Sequence, residues 1–321
     1  MKRRKTTLRL GTRGSRLART QSLWVAEQLT TRNPNLEIEL VICTTTGDKV
    51  QDKPLYNFGG KGCFTKELEE WILDGRVDFA VHSFKDVPVT MPLTDVSQLC
   101  IAAIPRREDP RDVLVAKTRT TIEELPYGAK VGTGSLRRRC QLLAVRADLN
   151  VQLIRGNIDT RLAKLEHGDF DAVVLALAGL RRCGLNDRDH MYAIPVDQML
   201  PAAAQGALAL QCRDNDDRAK HILASLHDPM TALCVDIERE IIEFLEGDCH
   251  SPIAALAKVD DQHLHVKAVV GARGGSLPIV KAECTANCCH PIEAIDQIVR
   301  QLSDLNAKQL LHTPRTERVS A

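Results

Sequence analysis

Apolar positions along the first two thirds of the chain recur in two rhythms, and the switching between them predicts the elements. Leu8 and Leu10 alternate with polar residues, which predicts a strand over Leu8–Thr12. Leu17, Trp24, Val25 and Leu29 then return at helical spacing behind Ser15, a residue suited to N-cap a helix, until Asn33-Pro34 stops it. A strand is expected at Glu37–Thr44, with Ile38, Leu40 and Ile42 on one face. A helix is expected at Thr65–Asp74, ended by Gly75. The apolar run Phe79–His82 reads as a buried strand that delivers Ser83-Phe84-Lys85-Asp86 to a loop, kept irregular by Pro88 and Pro92.

From Asp112 the alternation restarts, with strands expected at Val113–Ala116, Lys130–Gly132, Val151–Ile154 and Ala172–Ala176 and helices between them. This pattern predicts an α/β architecture of two domains with largely parallel sheets. Polar, Pro/Gly-rich joints at Pro105–Pro110 and Leu200–Gly206 read as hinges, and Leu208–Gln211 as a strand returning to the first domain. Past Asp228-Pro229 come a long helix, Met230–Glu246, strands at Ile253–Val259, Leu264–Val270 and Leu277–Cys284, and a helix from Pro291. The expected division is therefore domain 1 at residues 1–105 with 205–226, domain 2 at 106–204, and a smaller α+β domain 3 at 227–321.

At 321 residues with 44% apolar content, the chain is long enough for several buried cores. No run approaches the ~18 apolar residues of a membrane span, and no apolar segment follows Lys2-Arg3-Arg4-Lys5, so a cytoplasmic location is expected. Eleven irregularly spaced cysteines fit reduced thiols; Cys43, Cys100, Cys140 and Cys212 read as small core residues. A net charge of +1 and 3% aromatic residues argue against nucleic acid as a partner.

Charge changes this picture in one place. Between Lys130 and Arg182 stand ten Lys/Arg against five Asp/Glu. Arg137 and Arg138 follow Gly132-Thr133-Gly134-Ser135, and Arg155 and Arg161 flank Gly156-Asn157, each where a strand ends and a helix opens. Helix N-termini present unpaired N–H groups, and guanidinium forks beside them suit carboxylate or phosphate oxygens. Arg13, Ser15, Lys85, Asp86 and Arg182 come from equivalent loops, the edge at which open α/β sheets bind ligands. The competing reading of any one arginine is a surface ion pair with an acid such as Asp159 or Glu166. Asp86 is either a turn former or a fixed carboxylate that stabilises a cationic intermediate or holds an N–H group. His82 reads as a core histidine.

Cys249 stands on a Gly-containing turn beside His250, a context for a reactive thiol. Cys284, Cys288, Cys289 and His290 lack the second pair that a zinc site needs, so no metal is expected. Gly59-Gly60-Lys61-Gly62 lacks the phosphate-loop spacing.

Taken in order, Thr12-Arg13-Gly14-Ser15, Gly59-Gly60-Lys61-Gly62, Val81–Pro88, Arg107–Asp112, Ser135-Leu136-Arg137-Arg138, Leu153–Asn157 and Gln205-Gly206 resemble the porphobilinogen deaminase family, also called hydroxymethylbilane synthase. The resemblance implies two domains built like type II periplasmic binding proteins, a third domain, and a dipyrromethane cofactor bound covalently through Cys249. It implies head-to-tail condensation of four porphobilinogen molecules into hydroxymethylbilane with release of four ammonia, in a monomeric enzyme. Asp86 would act in catalysis with Lys85. Arg13, Ser15, Lys61, Lys85, Asp86, Thr133, Ser135, Arg137, Arg138, Arg155 and Gly156 would bind the cofactor. Arg13, Ser15, Gln21, Arg155, Arg161, Arg182 and Gln205 would bind substrate. The chemistry agrees with the charge pattern, because each pyrrole unit adds two carboxylates to the growing chain.

The chain departs from the family pattern at three places. Gly247-Asp248-Cys249 replaces Gly-Gly-Cys, Thr133-Gly134-Ser135 replaces Thr-Ser-Ser, and Ser15-Arg16-Leu17-Ala18 replaces Ser-Pro-Leu-Ala. Two other readings remain open on the residues alone: a non-enzymatic solute-binding protein for a dicarboxylate or other polyanion, and an enzyme acting on a phosphorylated metabolite with Asp86 as base.

Overall fold

A computed structural model describes residues 6–43, 65–89, 98–186, 189–248 and 250–312. The chain folds into two compact units, one of Met1–Glu108, Arg181–Gly184 and Gly206–Leu233, the other of Asp109–Leu180, Leu185–Gln205 and Cys234–Ala321. It opens with β1 (Thr6–Arg13), α1 (Arg16–Arg32), β2 (Leu36–Cys43), α2 (Lys66–Leu73), β3 (Phe79–Ser83) and β4 (Leu99–Ala103). The second sheet follows: β5 (Asp112–Ala116), β6 (Lys130–Gly132), α3 (Leu136–Val145), β7 (Asn150–Gln152), α4 (Ile158–Glu166), β8 (Ala172–Ala176), α5 (Leu177–Arg182) and β9 (Met191–Ala193). Returning, the chain adds β10 (Leu208–Arg213) and α6 (Asp217–Ala224) to the first unit. Then come α7 (Pro229–Phe244), β11 (Ile253–Asp260), β12 (His263–Gly271), β13 (Ile279–Asn287), α8 (Pro291–Asp304) and α9 (Ala307–His312).

The first two sheets share one topology. Their orders are β2-β1-β3-β10-β4 and β7-β6-β8-β5-β9. In each, four strands run in one direction, and one, β10 or β5, runs antiparallel to both its neighbours. The strands are therefore largely parallel, as the alternation predicted, with one reversed strand in each sheet that it did not predict. Helical crossovers keep successive strands parallel, whereas β10 and β5 enter directly from the chain crossings and run the other way.

Each sheet buries apolar side chains on both faces. In β5, Leu114 and Ala116 join one core while Val113 and Val115 join another, the period of two that a strand imposes. In the first unit, Leu8 and Leu10 of β1 pack with Val25 and Leu29 of α1, while α2 brings Leu68 and Ile72 to the opposite side.

The third sheet, β11-β12-β13, is antiparallel throughout. Leu264, Val266 and Ala268 of β12 are buried, as are Ala294, Ile298 and Leu302 of the adjoining α8. Leu200 packs against Ala254 and Val269. β13 starts at Ile279, two residues later than expected, because Pro278 has no N–H to give the ladder. β7 ends at Gln152, whose carbonyl is taken by the Thr133 N–H at 2.9 Å.

Candidate functional site

In the first unit the polar loops grow from strand ends. Ser15 caps α1, its Oγ accepting the Ala18 N–H at 3.3 Å, two residues beyond Arg13 at the end of β1. One turn into α1, Gln21 is buried, and its amide exchanges hydrogen bonds with Ser83 Oγ at 3.0 and 3.2 Å. Gln21 thus fixes the point at which β3 hands over to the 3-10 turn Phe84–Asp86. Phe84 is buried and donates its N–H to the Ala207 carbonyl at 3.0 Å, so the turn is anchored on the strand beside it. Lys85 and Asp86 are half-buried, and the Asp86 carboxylate accepts no hydrogen bond among the described residues.

His82 is a core residue, as expected. Its Nε2 lies 2.9 Å from Gln211 Oε1, and burial pushes the imidazole down to about 4, so it is neutral at physiological pH. Arg182 ends α5 and donates Nη2 to the Gly206 carbonyl at 2.7 Å. That carbonyl also accepts the Glu108 N–H at 3.2 Å, so Arg182 braces the two chain crossings. Burial pulls its guanidinium down to about 10, against the opposing charge of Glu108, and Arg182 stays cationic at neutral pH. Its neighbour Arg181 pairs with Glu108 at 2.8 Å.

In the second unit, the loop after β6 is a capping device. Thr133 Oγ1 accepts the Ser135 N–H at 3.2 Å, and Ser135 Oγ accepts the Arg138 N–H at 3.4 Å to start α3. Arg137 and Arg138 then turn inward, 4% and 5% exposed, onto Asp112 at the head of β5, which is fully buried. Arg137 Nη1 lies 2.7 Å from Asp112 Oδ2; Arg138 Nη2 and Nε lie 2.8 and 3.1 Å from Oδ1. Gln205 Nε2 adds a bond to Oδ1 at 2.8 Å and another to the Pro110 carbonyl at 2.7 Å. Arg137 and Arg138 also donate to the Leu200 and Val174 carbonyls.

Burial alone would raise the Asp112 pKa, but Arg137 and Arg138 beside it hold the carboxyl well below the usual carboxylate range. Burial and the neighbouring Arg137 lower that of Arg138.

Further along, Gly156 has φ 109°, and a Cβ there would lie 2.6 Å from Thr160 Cγ2. Asn157 caps α4 through Oδ1, which accepts the Thr160 N–H at 2.9 Å. Arg161 Nε donates to the Gly156 carbonyl at 2.9 Å, and Arg155 precedes the same turn.

Asp112 escaped the sequence reading, which considered Asp159 and Glu166 as partners for the arginines. The available signal was an acid opening a wholly buried strand, since a charge in such a place needs a partner. Gln205 and Gln21, expected at substrate, are buried in hydrogen bonds to protein groups. Cys249 and Lys61, with the Gly59–Gly62 loop, lie outside the described residues. Beside Cys249, Asp248 Oδ1 accepts the His250 N–H at 2.9 Å and Ser251 Oγ at 2.8 Å, which gives this departure from the family pattern a turn-forming role. At Gly134 a Cβ would approach the Ile154 carbonyl to 3.2 Å, a tight fit for the hydroxyl side chain the family carries there.

Around Asp112 two guanidiniums stand against one carboxylate, a net positive charge, and Arg155 and Arg161 lie at the next loop of the same unit. That donor set fits a group bearing several carboxylates. Among the described residues no cluster of His, Cys, Asp and Glu suits a metal ion, no cysteine forms a disulfide, and no helix is long and apolar enough to cross a membrane.

Residues 8–221 match the family model for the porphobilinogen deaminase dipyrromethane cofactor binding domain, and residues 232–303 that for the porphobilinogen deaminase C-terminal domain. The porphobilinogen deaminase of Syntrophotalea carbinolica is 48% identical over 286 residues, covering 87% of this chain and 89% of the relative. That of Sorangium cellulosum is 48% identical over 271 residues, covering 84% and 89%. Among solved structures, the methionine binding protein MetQ aligns over 68% of this chain and 89% of its own, at 14% identity and a TM-score of 0.42.

Proposed function

Because the chain belongs to the porphobilinogen deaminase family, and so condenses four porphobilinogen molecules into hydroxymethylbilane with loss of four ammonia, we propose that Asp86 is its catalytic carboxylate and Cys249 its cofactor anchor. The cofactor is a dipyrromethane, which when bound supplies the pyrrole carbon from which the tetrapyrrole is extended. The family match does not favour a non-enzymatic solute-binding role.

The observation that carries the assignment of Asp86 is the anchored turn Phe84–Asp86, which fixes a half-buried carboxylate with no protein partner among the described residues. Such a carboxylate stabilises the cation that develops as ammonia leaves and accepts pyrrole N–H groups, without reorganising during the reaction. Lys85 beside it supplies positive charge for a substrate carboxylate. In the first unit Arg13, Ser15, Lys61 and Arg182 are assigned to carboxylates of cofactor or substrate, with Gln21 supporting the turn. In the second unit Arg137, Arg138, Arg155 and Arg161 are assigned to the same task, with Thr133, Ser135, Gly156 and Gln205 shaping the loops that carry them. Each added ring brings two carboxylates, so cationic side chains must outnumber the protein's own acids around the growing chain.

The chain is proposed to work as a monomer of three domains, residues 1–105 with 205–226, 106–204 and 227–321. A cytoplasmic location is supported by the absence of disulfides among the described cysteines.

Intact mass tests the anchor: the purified chain is expected to exceed its sequence mass by two linked pyrrole units, and Cys249→Ser to remove the increment. An active chain of unmodified mass would sink the assignment. For Asp86, Asp86→Asn is expected to keep fold and mass increment but lose at least ~100-fold in turnover; near-normal turnover would remove it from the mechanism.

A further inference from the structure

Glu238, in the middle of α7, is fully buried, and its carboxylate joins two distant segments. Oε2 accepts the Ala204 N–H at 2.7 Å, and Oε1 accepts the Ala257 N–H at 2.9 Å. A leucine or methionine would fill the same volume without the desolvation that a buried carboxylate suffers, so holding these N–H groups is one reason for an acid at this position. Ala204 has φ 59°, a left-handed conformation unfavourable for a residue with a Cβ, and the bond from Glu238 fastens it there. The next residue is Gln205, whose amide reaches Asp112, and Asp112 in turn holds Arg137 and Arg138. Every link in this line is a hydrogen bond of 2.8 Å or shorter, or a single peptide bond.

We infer that Glu238 is a positioning residue for the Arg137–Arg138 pair, acting through Ala204 and Gln205 on Asp112. It rests on the reading of those arginines as holders of cofactor and substrate carboxylates. Without the clamp, Ala204 relaxes out of the left-handed region and draws the Gln205 amide off Asp112. The carboxylate then has only the two guanidiniums and draws them further toward itself. What suffers is the grip on polycarboxylate groups, while the chemistry at Asp86 is untouched. The arrangement also ties the pair to α7, whose last helical residue, Phe244, precedes Cys249 by only a few positions.

The test compares Glu238→Gln, Gln205→Ala and the double variant in the full chain, reading the fraction that carries the two-pyrrole mass increment, KM and kcat for porphobilinogen, and the melting temperature. Glu238→Gln is expected to raise KM roughly tenfold with kcat within about twofold, and to lower the loaded fraction. The double variant is expected to match the worse single variant, because both changes cut the same line. Losses that multiply in the double variant would overturn the relay. So would wild-type KM and loading in Glu238→Gln accompanied only by a lower melting temperature, the signature of a purely structural role. Should Glu238→Gln not fold, Gln205→Ala removes the last link with Glu238 in place, and normal KM and loading there overturn the inference. Failure of the underlying functional reading is separate: the wild-type chain itself would then carry no increment.

Discussion

Asp112 and His82 are both buried titratable groups, and their environments push stability in the same direction with pH. The folded Asp112 binds its proton less readily than the unfolded chain does, because Arg137 and Arg138 outweigh its burial. Its stabilisation is therefore complete above the unfolded pKa of about 4 and is lost as the pH falls below it. Asp112→Ala leaves two buried guanidiniums facing each other and is expected to cost about 3–5 kcal/mol in urea titrations. His82 titrates at about 4 when folded, against 6.5. Between those values the unfolded imidazole takes a proton that the folded one refuses, so stability falls with pH across that window by roughly 3 kcal/mol and then levels. His82→Gln is expected to flatten that slope; an unchanged slope would mean that another group carries it. His82 was legible in the sequence because its strand is apolar throughout. The Asp112 partnership was not, since 25 residues separate it from Arg137 and hydropathy does not encode pairing across a fold.

Elements whose signals are local were readable, and those set by partners were not. Ser15, Ser135 and Asn157 cap the helices that follow them, as polar residues before apolar periods predict. By contrast β9 has three residues, too few to show a period, and β4 lies in an apolar run beside prolines that read as loop. The antiparallel course of β5 and β10 is fixed by neighbouring strands and by the crossings, not by the composition of either strand. Gly156 offers a test at this scale. At Gly75, φ is 68° and a Cβ would meet nothing within 4 Å, so Gly75→Ala is expected to cost about 1–2 kcal/mol of backbone strain alone. At Gly156 a Cβ also drives into Thr160, which Asn157 needs in place to cap α4. Gly156→Ala should lose about 1 kcal/mol beyond the Gly75 variant, the order of a helix cap. Equal melting temperatures for the two variants would show that Thr160 yields freely.

At the scale of the molecule, the second and third sheets share one compact unit, although the hydrophobic pattern divides them at the start of α7. Among the contacts that join them are the Glu238 carboxylate between Ala204 and Ala257, Leu200 packed on Ala254 and Val269, Lys267 paired with Asp197, and Gly271 against Cys140 of α3. The first unit is closed by bonds of its own, with the Glu108 N–H on the Gly206 carbonyl, the Ile104 N–H on His227 Nδ1 and the Arg107 N–H on Thr231 Oγ1. Cooperative blocks follow contacts rather than sequence boundaries. Native-state hydrogen exchange is thus expected to give amides of β5, β8, β11 and β12 a common opening free energy, within about 1 kcal/mol, and those of β1, β3 and β10 a separate one. Gly271→Ala sharpens the comparison, because a Cβ there would lie 2.6 Å from Cys140 Sγ and force α3 and β12 apart. It should lower the opening free energy of the second and third sheets together and leave the first unchanged. If protection falls in β11–β13 alone, the third sheet opens as a block of its own, and the division at α7 is energetic as well as sequential.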